Sequence, residues 1–179
     1  MAVFFTGMGD GGVSHVGQEK LSKDSHFLEA LGELDETNSI VGLVRAQVSD
    51  TEIQEKLKGV QESLFIIQAN IAMGAFSQVI APPFTQDKTQ GLEKEIAAIA
   101  KLVSLEGKFI ISGETPEGAW LDVARTVTRR AERRLVALSR EHAVSLEILS
   151  YMNRLSSYFY ALARLVAFKK EVEENHPSY

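Results

Sequence analysis

Apolar residues recur at three- and four-residue steps over most of the chain. That spacing predicts helices, because side chains at those intervals share one face of a 3.6-residue turn. From about Ser25 to Val48 the stripe is Leu28, Leu31, Leu34, Val41, Val44 and Val48; a second, from Thr51 to about Ala75, uses Ile53, Leu57, Val60, Leu64, Ile67, Ile71 and Ala75. Pro82 and Pro83 stop continuation by fixing φ and removing backbone donors. A third helix is predicted from about Gln86 to Leu105, with Leu92, Ile96, Ile99 and Val103 on one side and Glu106-Gly107 at its end. After a short extended stretch from Phe109 to Glu114, Thr115-Pro116-Glu117 supplies a capping residue, a proline at the first helical position and an early acid. A long fourth helix starts there and reaches about Arg140. The fifth runs from about Ser145 to Lys170, with Ile148, Met152, Leu155, Phe159, Leu162 and Val166 as its seam.

Five long helices, short connections and almost no strand signal predict an all-α fold, a single five-helix bundle of up-down antiparallel helices over residues 25–170. Residues 1–24 contain five glycines and no helical period, which predicts a loop, and the polar tail 171–179 is expected to fray.

Composition narrows the chemistry. At 179 residues the chain suits one domain with its own core. With no cysteine, disulfide scaffolds, Cys-ligated zinc, iron–sulfur clusters and thiol nucleophiles are excluded. No basic leader and no long apolar run is present, so a soluble cytoplasmic protein with no membrane partner is expected. A formal charge of −5 argues against nucleic-acid binding, and any anion site must be a local cluster.

The densest cluster is Arg125-Thr-Val-Thr-Arg129-Arg130-Ala-Glu132-Arg133-Arg134. At 100° per residue Arg125, Arg129, Glu132 and Arg133 share about a third of the helix circumference, while Trp120, Val127, Ala131, Leu135 and Leu138 occupy another sector. Guanidinium groups on one stripe repel unless an anion or a carboxylate lies between them, and their planar forks suit phosphate oxygens. Polyphosphate binding is one reading; a solvated face with intrahelical pairs is the other. On the first helix Asp35 and Asn38 lie within or beside the apolar stripe and need partners. Asp35 can meet an arginine of helix four within the chain or across a subunit interface. Asn153, beside the fifth helix's seam, can bond a ligand or another helix. Thr6-Gly7-Met8-Gly9-Asp10-Gly11-Gly12-Val13-Ser14 can form an anion nest or a plain terminus, and Ser22-Lys23-Asp24 offers a cap and one cation. The four histidines, His15, His26, His142 and His176, have no metal-ligand spacing, and no metal site is assigned.

Three segments together resemble the PduO-type ATP:cob(I)alamin adenosyltransferases. They are Ser22-Lys23-Asp24 with Glu29 to Ser39, Val123 to Arg133, and Tyr151-Met-Asn153-Arg154-Leu-Ser156. The resemblance implies a homotrimer with sites between subunits, where the 5′-deoxyadenosyl group of ATP passes to reduced cobalamin and triphosphate leaves. It implies ATP with its magnesium and a corrinoid as ligands, a flavoprotein reductase and an adenosylcobalamin-dependent enzyme as partners, and no nucleic acid. By similarity the nucleotide is held by Thr6, Gly9, Asp10, Gly12, Ser14, Ser22, Lys23, Arg129, Glu132, Arg133 and Asn153. Arg129, Arg125 and Asp35 would be the catalytic set, Arg125 pairing with Asp35 across the interface, and Phe109 would press on the lower face of the corrin.

The chain departs from the family pattern at several positions. The N-terminal arginine and lysine expected of the family read Gly7 and Gly11, and two hydroxyl positions read Met8 and Val13. Each missing charge-assisted phosphate contact is worth about 1.5–3 kcal/mol, so together they weaken ATP binding roughly a hundredfold or more if additive. Ser112-Gly113-Glu114 replaces a Pro-Gly-Gly turn, and Ser157 stands where an aspartate is common. The alternative function is thus a catalytically impaired relative that binds nucleotide or corrinoid for regulation or delivery.

Overall fold

The computed structural model describes residues 4–17, 19–76, 81–103 and 107–179, with side chains from 74 to 76 left aside. The expected boundary at Leu105-Glu106 and the seam position Ala75 lie outside what is described. Among the described residues the elements run β1 Val13–Val16, β2 Glu19–Ser22, α1 His26–Gln47, α2 Thr51–Phe76, α3 Gln86–Ala100, α4 Pro116–Leu138 and α5 Leu146–Lys169.

The helix starts follow from local chemistry. Ser25, Thr115 and Ser145 are extended N-caps whose hydroxyls accept from the amides of Leu28, Gly118 and Ile148. The Thr115 cap also explains Gly118: a Cβ there would sit 2.7 Å from the Thr115 hydroxyl oxygen. α3 ends at Ala100, earlier than the apolar period suggested, because Lys101 to Val103 turn with bonds back to Ala98 and Ile99.

Cross-helix contacts give the directions. Arg134 meets Glu29 at 3.1 Å and Arg130 meets Glu33 at 2.6 Å, so α4 runs antiparallel to α1. Asn153 bonds Glu132, and Lys170 bonds Glu117, so α5 returns along α4. Gln61 donates to the Asn38 carbonyl, tying α2 to α1, and α3 packs on α5. The core between them includes Leu34, Leu57, Leu64, Leu121, Met152 and Phe159, all fully buried. Of the apolar sector expected on α4, Val127, Ala131, Leu135 and Leu138 are buried, joined by Leu121, Ala124 and Thr128, whereas Trp120 is 37% exposed.

Two expectations are corrected. The N-terminal loop contains a hairpin, Val13 facing Ser22 and Val16 facing Glu19, with Gly17 at φ +60° in its turn and Val16 and Leu21 packed on the core. The tail is docked rather than frayed: Ile111 donates to the Asn175 carbonyl at 2.8 Å, Asn175 donates to Glu114 at 2.8 Å, and Glu174 lies 2.8 Å from Arg164. No described helix is long and apolar enough to cross a membrane.

Candidate functional site

Two cavities lie along α4 and meet at one side chain. The first, about 530 Å³, is lined by Arg125 and Arg129 together with Phe109, Asp122, Tyr160 and Arg164. The second, about 460 Å³, is lined by Arg129, Glu132, Arg133, Arg140 and Asn153. Arg129 borders both.

Charge in the first cavity is anchored from below. Asp122 is only 7% exposed and uses both oxygens, one accepting from Arg125 at 2.9 Å and the other from Arg164 at 3.2 Å. Arg164 is 5% exposed, lies over the Tyr160 ring at 4.9 Å, and closes on Glu174. Such a buried network costs desolvation and holds only when each charge finds its partner. Burial pushes the Glu174 carboxyl above its ordinary value, while Arg164 pulls it back. Phe109 stands 78% exposed at the rim, and His176 donates from Nδ1 to its carbonyl at 2.8 Å. Ser112 and Ser157, two of the departures from the family pattern, line the same cavity.

In the second cavity Asn153 donates to one carboxylate oxygen of Glu132 at 2.8 Å. Were a polyphosphate seated there, a single carboxylate beside it would suit magnesium, which is held by few protein ligands plus the phosphates themselves. Among the described residues the guanidinium groups of Arg129, Arg133 and Arg140 have no ion pair or hydrogen bond.

The N-terminal candidates form a separate group. Gly7 and Gly12 have φ of +71° and +75°, and the turns close through Asp10 donating to Gly7 and Gly12 donating to Gly9, both at 3.2 Å. Thr6 accepts from the Met8 amide, Ser14 and Ser22 belong to the hairpin, and Ser22 also donates to Asp24. Lys23 folds over the turn: its amide donates to the Gly12 carbonyl, and a Cβ at Gly9 would lie 3.0 Å from its ammonium nitrogen. Among the described residues no hydrogen bond or ion pair joins this group to the arginines of α4.

The sequence places Asp35 in or beside the apolar stripe, with an arginine of helix four, in the same chain or across an interface, as its partner. It lies beside the stripe, exposed in a groove with Leu28, Leu31, Gly32 and Phe65, and has no ion pair among the described residues. The arginines of α4 that reach α1 choose Glu29, Glu33 and Glu36. Asn38 is buried, and its side-chain oxygen finds no partner. Arg125 and Arg129 line the first cavity and Arg129 and Arg133 the second, with Arg125 also bonded to Asp122 and Arg140 joining the second.

Sequence reasoning missed Asp122, Arg164, Tyr160, Arg140 and the tail. A signal was present for Arg164, a charge within the apolar seam between Leu162 and Val166, and for Asp122, three residues before Arg125 on the same helix.

This arrangement has known counterparts. The sequence profile described as cobalamin adenosyltransferase matches residues 4–166. The corrinoid adenosyltransferase of Bacillus subtilis is 34% identical over 166 residues, covering 90% of this chain and 85% of that protein, and the one from Citrobacter freundii is 32% identical over 90% of this chain and 93% of that protein. A phenylalanine-to-alanine variant of the PduO-type ATP:corrinoid adenosyltransferase from Lactobacillus reuteri, solved with cobalamin and ATP, superposes with a TM-score of 0.93 at 32% identity, covering 99% of this chain and all of that one. The chain therefore belongs to the cobalamin adenosyltransferase family, of PduO type.

Proposed function

We propose that this protein transfers the 5′-deoxyadenosyl group from ATP to cob(I)alamin, giving adenosylcobalamin and triphosphate. The observation that carries the reading is the position of Arg129 between two cavities, one rimmed by the exposed Phe109 and one lined by guanidinium groups that are unpaired among the described residues. A corrin in the first and a polyphosphate in the second bring cobalt and the 5′ carbon together at that seam. The cobalt(I) electron pair forms the Co–C bond, the C5′–O bond breaks, and its electron pair leaves on the triphosphate oxygen, so cobalt becomes formally cobalt(III). The protein supplies no nucleophile. Its part is proximity and stabilisation of the leaving charge by Arg129, with Arg133 along the phosphates and Glu132 and Asn153 toward magnesium.

The glycine-rich turn and Lys23 complete the nucleotide site from a neighbouring subunit, in a homotrimer. The groove around Phe65, which is 60% exposed, supports this assembly, as does Asp35, which stands there with no ion pair among the described residues and can meet Arg125 of another copy. Phe109 presses on the lower face of the corrin. Because the acceptor is cob(I)alamin, a flavoprotein reductase stands upstream and an adenosylcobalamin-dependent enzyme downstream, in the cytoplasm.

A second reading, a relative that binds without turnover, is favoured by one feature: the segment from Thr6 to Ser14 contains no cation. Incubation with ATP, magnesium and chemically reduced cobalamin distinguishes the two. Formation of adenosylcobalamin above a protein-free control is expected. Calorimetric ATP binding with no product selects the second reading, and absence of binding to both ligands by folded protein removes both.

A further inference from the structure

Most arginines of α4 and α5 have a carboxylate of their own. Arg125 and Arg164 share Asp122, Arg130 holds Glu33 and Glu36, Arg134 meets Glu29 and Arg154 meets Glu93. Arg129 and Arg133 do not, and they share their cavity with Arg140, which is likewise unpaired among the described residues. Glu132 on that wall accepts from Asn153 and keeps its charge, so one carboxylate faces three guanidinium groups. The excess positive charge suits a further anion among them.

Arg140 lies past the end of α4 at Leu138, yet the chain keeps turning helically there: Arg140 donates to the Ala137 carbonyl and Glu141 to Leu138. Eleven residues separate Arg140 from Arg129, about three turns, so continued winding returns it to the same face at the far end of the cavity. Arg129 marks the end nearest the first cavity, where the C5′–O bond breaks in the proposed reaction. A polyphosphate leaving that point runs along α4 past Arg133 toward Arg140. The glycine-rich turn has no cation of its own, and among the described residues Lys23 is the positive charge folded against it, at Gly9. Beyond that single cation, charge for the distal phosphates comes from the α4 side.

We infer that Arg140 is a phosphate-binding residue of this site, holding the distal end of the triphosphate and offsetting the lack of cations between Thr6 and Ser14. The inference rests on the nucleotide reading above, and the experiment separates the two. Binding of ATP, ADP and inorganic triphosphate is measured by calorimetry for the wild-type chain and for Arg140→Gln, Arg140→Lys and Arg134→Gln. Arg140→Gln weakens ATP and triphosphate about tenfold, as expected for loss of one charge-assisted contact, and ADP by less than about twofold. Arg140→Lys keeps most of the affinity, and Arg134→Gln, which only breaks the pair with Glu29, keeps all of it. Unchanged ATP affinity in Arg140→Gln, or equal loss for ATP and ADP, overturns the inference while leaving the nucleotide site standing. A wild-type chain that binds neither ATP nor triphosphate takes down both.

Discussion

Adjacent arginines on α4 have opposite duties. Arg130 is tied to Glu33 and Glu36 and staples α4 to α1, whereas the guanidinium of Arg129, the next residue, has no partner among the described residues and lines the cavities. The pair makes a contrast that either activity or stability alone would miss. Arg129→Ala lowers adenosylcobalamin formation by a hundredfold or more, on the scale of about 3 kcal/mol for a lost contact to developing charge, while its unfolding midpoint stays within the small range of surface substitutions. Arg130→Ala keeps turnover but loses up to about 1 kcal/mol of stability, since its pairs are partly exposed and screened. Initial rates and urea unfolding on the two variants check this. Equal loss of rate in both would mean that the arginine assignment is misplaced. The run of arginines was legible in the sequence because helical spacing fixes which residues share a face. Their sorting into paired and unpaired members was not, since it depends on carboxylates of α1 about a hundred residues away.

At the level of elements, caps and punctuation were readable and long-range polar docking was not. Thr115, Pro116 and Glu117 announced α4 to the residue, because capping is local chemistry. The hairpin went unseen because its four-residue strands bury little: only Val16 and Leu21 pack on the core. The tail left no periodic trace because it is held by Arg164, Ile111 and Glu114 from elsewhere in the chain. The end of α5 is fastened similarly, by Lys169 on Asp50 and Lys170 on Glu117. Hydrogen bonding to these lysines is the leading cause that holds Asp50 and Glu117 below their ordinary values of 3.8 and 4.5. A carboxyl lowered on folding stabilises the native state above its unfolded value, and that contribution is lost as pH falls through the folded value. Glu174, raised by burial, acts in the opposite sense, its contribution growing on acidification. Urea midpoints should thus drop below about pH 4.5 in the wild type, and Lys170→Gln should flatten that limb while lowering the neutral plateau. An unchanged acid limb in Lys170→Gln would remove the Glu117 pair as its source.

On the scale of the whole molecule, the groups proposed to hold the nucleotide fall into two sets that no bond joins among the described residues: the glycine turn with Lys23, and the arginine face of α4 with Asn153. The groove carrying Phe65 and Asp35 is where the trimer reading expects a second copy. Phe65→Glu places a charge in that groove, and sedimentation should report loss of the trimer together with loss of turnover. A variant that stays trimeric and active would show that subunits meet elsewhere. Bundle topology was inferable from five apolar periods and short connections, but the surface shared between copies was not, because Phe65 sits one position off the buried stripe of α2 and reads as an ordinary exposed residue.

Arg129 is a wall common to both chambers, and a guanidinium occupies one place at a time. In the proposed reading, phosphate drawing Arg129 toward one chamber would reshape the other, so each chamber would register whether its neighbour is filled.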